Sequence, residues 1–240
     1  LTKIRCDIAK KLGYGSFIDY VYPARGRYDY NAEKVADFRE AVHKYITPLC
    51  EKLYKEQAER LGLAKLEFYD ETLCFAEGNA TPIGTPEELT EHARKMYEEM
   101  SPETGEFFNF MVEHELYDFV TRENKHLGGY MTSLPDYKAP FIFSNFNGTS
   151  ADIDVLTHEA GHAFAGFTAA KFQKLPELVH STSEINEMHA MAMELWTYPW
   201  MESFFGEKAD DYRKDHLADA LMGIPYLVSV DEFQHRVYHF

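Results

Sequence analysis

DIDVLTHEAGHAFAGF, residues 152–167, sets two histidines four positions apart, His158 and His162, with Glu159 directly after the first. On an α-helix, positions i and i+4 lie about 40° apart around the axis, so both imidazoles face one side and can reach one metal ion. H-E-x-x-H on a helix reads as zinc hydrolysis: two histidine ligands, and a carboxylate beside them to take a proton from the attacking water. Five residues alone recur by chance, and the alternative is a helix whose histidines are merely structural. The surroundings favour the metal. Apart from these three side chains, residues 155–164 carry no ionisable group, whereas a solvated surface helix would be more charged. Thr149 with Asp152 three positions later reads as a capping box. Ile153, Leu156, Ala160, Phe164 and Phe167 then form an apolar stripe largely opposite the histidines. One face can pack while the other looks into a cleft.

Two histidines do not complete a catalytic zinc site, which usually has three protein ligands and an open position. The helix predicted after the polar connector of residues 171–183 offers Glu184, Glu187, His189 and Glu194. Glu187 and Glu194 are seven apart and share a face, set away from the expected core stripe of Ile185, Met188, Ala192, Leu195 and Trp196. Carboxylates turned toward a core are costly unless a cation pairs with them. A solvated acidic face is the other reading.

Ahead of the histidine helix, residues 128–132 and 140–143 are short, β-prone and bounded by Gly or Pro, and predict two strands of a small sheet. A strand edge beside a metal could pair with an extended peptide; an internal hairpin fits the same residues. Further upstream the chain is mostly helical to Gly62, with a junction at Thr47-Pro48 and with His43 read as structural. Residues 66–75 suggest a short strand or extended segment. Thr85-Pro86-Glu87-Glu88 and Ser101-Pro102 start two helices, the second with Phe107, Phe110, Met111, His114 and Phe119 as its buried stripe. Beyond residue 184 a helix bent at Pro199 and two more, over 210–222 and 225–238, finish the chain.

The 240 residues suffice for a substantial core, 45% of them hydrophobic and 15% aromatic. Forty acidic against 24 basic residues give a net charge of −16, which opposes binding to nucleic acid or an anionic membrane. Cys6, Cys50 and Cys74 are odd in number, without zinc-ribbon spacing, and imply free thiols in a reducing, cytoplasmic setting. No signal-like opening or membrane-length apolar run is present.

The histidine helix followed by SEINEMHAMAMELW (residues 183–196) resembles the zinc-binding helix pair of the thimet oligopeptidase family, in its oligoendopeptidase F branch. FREAVHKYITPL (38–49), GNATPIGTPEEL (78–89), SPETGEFFNFMVEHELYD (101–118), residues 128–164 and VDEFQH (230–235) extend the resemblance over residues 13–238. It implies a mainly α, zincin-like catalytic region with a small β-sheet next to the zinc helix. Residues 1–65 would be a helical lead-in packing on it, and 66–240 one continuous catalytic unit, truncated at both ends relative to the family. His158, His162 and Glu187 would hold one Zn2+ per chain, with Glu159 as general base. Glu194 would orient a histidine, and Gly128, Gly129 and Tyr130 would bind the substrate. The implied substrates are short peptides, hydrolysed internally, with no obligate protein partner. Family members continue past the FQH motif to tyrosine and histidine donors for the oxyanion, whose loss commonly costs about 10²-fold or more in rate. These 240 residues alone would therefore bind zinc with weak or no turnover. The rival readings are an exopeptidase sharing the motif, and a non-catalytic zinc- or peptide-binding helical protein.

Overall fold

The structure is a computed structural model and describes residues 1–238. The chain divides into two compact units, one of residues 1–78 with those from Lys214 onward, the other of residues 79–213.

In the first unit α1 (Thr2–Lys11) and α2 (Phe17–Ala24) are followed by α3 (Ala32–Ala41), which passes through a π-helical turn, Val42–Ile46, into α4 (Thr47–Leu61). Asn31 caps α3 by accepting the Lys34 amide, as its position predicts. Pro48 sits at the start of α4, where the π-helical turn gives way to it. The long last helix of the chain belongs largely to this unit. Arg5 donates to the Tyr238 hydroxyl at 2.6 Å and Arg39 pairs with Asp231 at 2.5 Å, while His43 stands 3.8 Å from Glu232.

Residues 66–78 group with the first unit. Gln57 Nε2 donates to the carbonyls of Glu71 and Leu73, and Arg60 Nε to that of Cys74, so residues 66–78 are tied to α4. The same bonds explain why residues 66–75 form turns and no strand: side chains satisfy their carbonyls where a partner strand would have done so. Residues 239 and 240, to which the catalytic region was expected to extend, lie outside the described residues.

The second unit opens with α5 (Pro86–Met100) and α6 (Pro102–Glu113). Thr85 and Glu88 form the predicted capping box, each side chain accepting the other's backbone amide. Glu115, at φ 52°, ends α6 and turns the chain into β1 (Tyr117–Val120). Phe119 is therefore a strand residue, stacked against Tyr117 and Phe146 with ring centroids 4.5 and 4.9 Å apart, and not part of a helical stripe. β2 (Tyr130–Leu134) and β3 (Ala139–Phe146) form an antiparallel hairpin, and β3 lies between β2 and a parallel β1. β2 is thus an edge strand.

α7 (Ala151–Phe172) packs on β3, β2 and α8 (Ser183–Trp196). Ile153, Leu156, Ala160 and Phe167 are buried as the stripe predicts. The expected capping box is replaced: the buried Asp152 carboxylate accepts the amides of Asn147 and Gly148, while Thr149 donates to Asn147 Oδ1. On α8 the expected core stripe faces outward, with Met188 and Trp196 each 62% exposed and Ala190 and Met193 buried instead. A 3₁₀ turn at Tyr198–Trp200 ends that helix where Pro199 lacks a donor, and α9 (Met201–Phe205) follows as a separate turn. α10 (Ala209–Tyr238) is a single helix holding Pro225 internally, where two were expected. Among the described residues no helix is long and apolar enough to cross a membrane.

Candidate metal centre

The buried face of α7 fixes its rotation, and this turns His158 and His162 to the side facing α8, their rings 4.8 Å apart at 84°. From α8, Glu187 Oε2 approaches His158 Nε2 to 3.3 Å and His162 Nε2 to 3.8 Å. All three donor atoms lie within 4.8 Å of one another. Ligands bound tetrahedrally at about 2.0–2.2 Å stand roughly 3.3–3.6 Å apart, so two imidazole nitrogens and a carboxylate gathered this closely can close on one metal ion. The expected trio is brought together.

The other ring nitrogen of His158 is also committed. Its Nδ1 lies 2.5 Å from Oε1 of Glu194, a carboxylate oxygen that accepts, so Nδ1–H is the donor and Nε2 is the nitrogen on the side of Glu187. Burial works to lower the His158 pKa, but the hydrogen bond and charge of Glu194, with the charges of Glu159 and Glu187, outweigh it and raise it. For His162, burial and the neighbouring His158 lower it.

Glu159 is 7% exposed. Burial raises its pKa, opposed by the charge of His158 and by the nearby backbone of Met131 in β2. The middle of β2 thus lies near the carboxylate. Met131 also lines, with His162, Ala165, Glu187 and His189, a cavity of about 470 Å³ beside the donors.

Gly128, Gly129 and Tyr130 lie at the entrance of β2. Gly128 has φ 102° and its carbonyl accepts Asn145 Nδ2; a Cβ on Gly129 would stand 2.7 Å from Val155 Cγ1 of α7. Tyr130, 48% exposed, stacks on Phe143 with centroids 5.0 Å apart. Met131, next to the predicted three, is the β2 residue that lines the cavity with His162 and Glu187. Backing the site, Tyr212 of α10 donates to Asp154 Oδ1 at 2.6 Å, and burial with Glu194 and Asp154 pushes the Tyr198 hydroxyl up to about 12. Sequence reasoning reached Met131 only as part of the 128–132 strand, and missed Asp154, Tyr198 and Tyr212. Only Asp154 left a signal, one helical turn before His158 on the same face.

The model of peptidase family M3 matches residues 1–239. An oligoendopeptidase F homolog of Mycoplasma genitalium is 25% identical over 180 residues, 75% of this chain and 27% of its own length. One from Mycoplasma pneumoniae is 28% identical over 159 residues, 66% of this chain and 23% of its own. The solved structure of Pz peptidase A with an inhibitor superposes with a TM-score of 0.97 at 53% identity, over all of this chain and 42% of that one. The chain thus spans about a quarter of these curated relatives and less than half of the solved protein.

Proposed function

The chain belongs to peptidase family M3, and on that premise we propose that it forms the zinc-holding part of an endopeptidase that hydrolyses short oligopeptides. The observation that carries this reading is the convergence of His158, His162 and Glu187 with the buried carboxylate of Glu159 beside them. The names of the relatives, oligoendopeptidase F homologs, support the substrate class.

In this reading His158, His162 and Glu187 hold one Zn2+, which when bound acidifies water and polarises a carbonyl. Glu159 takes the proton of the attacking water and passes it to the leaving amine. A carboxylate does this well when its pKa is raised toward the working pH, and burial moves Glu159 that way. Glu194 holds the His158 ring in the tautomer that presents Nε2. The edge of β2, entered through Gly128, Gly129 and Tyr130, lays the substrate backbone alongside by strand pairing. Free Cys6, Cys50 and Cys74 support a cytoplasmic setting.

Activity is proposed for the complete polypeptide, since the chain spans 42% of the solved relative. Glu159→Gln in that polypeptide should keep zinc and abolish cleavage of a fluorogenic oligopeptide; loss of zinc from this variant would count against the role given to Glu159. End-blocked peptides separate endopeptidase from exopeptidase action. A zinc-loaded complete protein that binds peptides and cleaves none would favour the non-catalytic reading.

A further inference from the structure

Gly161 lies on α7 between the two histidines, and its missing side chain is filled by the backbone of α8. A Cβ built there would stand 2.7 Å from Ala190 Cα, 2.9 Å from the His189 carbonyl oxygen and 3.0 Å from Met193 Cβ. Two of these three are backbone atoms that no rotamer change can remove. Cβ contacts essentially never fall below 3.0 Å and ordinary contact begins near 3.4 Å, so even the smallest side chain would push α8 outward by about 0.3–0.7 Å. Glu187 sits one turn before Ala190 on the same helix, and Glu194 one turn after it. Any such movement carries both carboxylates away from the histidines.

We propose that Gly161 is a positioning residue: it sets the spacing of α7 and α8 at which Glu187 and the two histidines share one metal ion. This rests on the zinc site proposed above. Metal–ligand distances tolerate about 0.2 Å, less than the shift a Cβ would force. The inference is specific to this glycine. Gly166, on the same helix, has only Met131 Cε at 3.6 Å and Ser133 Oγ at 3.9 Å near its absent Cβ, and can accept a methyl group.

The test compares Gly161→Ala with Gly166→Ala in the 240-residue chain. Zinc affinity is read by competition with a chromophoric chelator, ligation by the visible spectrum of the Co2+-loaded protein, and fold by thermal unfolding of the metal-free form. Gly161→Ala should bind zinc roughly 10- to 100-fold more weakly, as supporting contacts of metal sites commonly do when lost. Its Co2+ spectrum should change as the carboxylate withdraws, while Gly166→Ala matches wild type in both. A purely structural role would lower the unfolding temperature and leave affinity and spectrum untouched, which overturns the proposal. If Gly161→Ala does not fold, Ala190→Ser enlarges the α8 residue whose Cα stands nearest Gly161, and unchanged affinity in that folded variant overturns it equally. Absence of zinc binding by the wild type would instead remove the underlying metal site.

Discussion

His158 Nδ1 and Glu194 Oε1 lie 2.5 Å apart although 36 residues separate them in sequence. One is on α7 and the other on α8, so the bond ties the two helices together at the donor set and fixes which histidine nitrogen is free. Glu194→Ala should therefore weaken zinc binding by about 10- to 100-fold, with Glu194→Gln losing less because its amide oxygen still accepts from Nδ1–H. Chelator competition measures both. Equal affinity in wild type and Glu194→Ala would remove this role.

Tyr212 is buried, and its hydroxyl donates to Asp154 at 2.6 Å. Tyr212→Phe removes this hydrogen bond to a charged group, at a cost of about 1–3 kcal/mol. Urea unfolding should show this as a lower midpoint with an unchanged slope; an unchanged midpoint contradicts it.

Asp118 accepts both terminal nitrogens of Arg122 at 2.7 Å and Lys125 Nζ at 3.0 Å. The Arg122 guanidinium chiefly, against some burial and with help from Lys125, holds its carboxyl down to about 2. An unfolded aspartate titrates near about 3.9. The folded pKa is depressed, so the stabilisation is complete above about 4 and disappears as pH falls toward about 2. The stability gap between wild type and Asp118→Asn should be constant above pH about 5 and shrink across that window. A gap independent of pH down to about 2 excludes the pairing as its source.

Cys74 is buried, and burial foremost, with Asp215 and Asp219, pushes its thiol up to about 12. The thiolate is the reactive form, so Cys74 should resist maleimide at pH 8 in the native chain and react on unfolding. Peptide mapping after labelling reads this directly. Rapid native labelling of Cys74 contradicts its placement.

The centre of the site was legible because its chemistry follows helical spacing: His158, Glu159, His162 and the Ile153, Leu156, Ala160 stripe all obey one period. Glu187 was legible only as one of several carboxylates on α8, and the resemblance selected it. The orientation of α8 was not legible. Periodicity chose the bulkiest apolar side chains, Ile185, Met188, Leu195 and Trp196, as its core face. The face turned to α7 instead carries Glu187, small Ala190, Met193 and Glu194, because carboxylate–imidazole pairs and close backbone approach decide it. Phe119 was misread for a similar reason: an apolar residue eight positions after Met111 fits a helix, and the chain reversal at Glu115 has no periodic signature. Contacts between distant residues, such as Tyr212 with Asp154, leave no local trace at all.

Zinc content after dialysis of the 240-residue chain and three variants tests the central claim most directly. Wild type and Glu159→Gln should each retain one equivalent of zinc, while His162→Ala and Glu187→Ala should retain far less. A wild-type chain that retains none, or a Glu187→Ala variant that retains a full equivalent at unchanged affinity, would contradict the account.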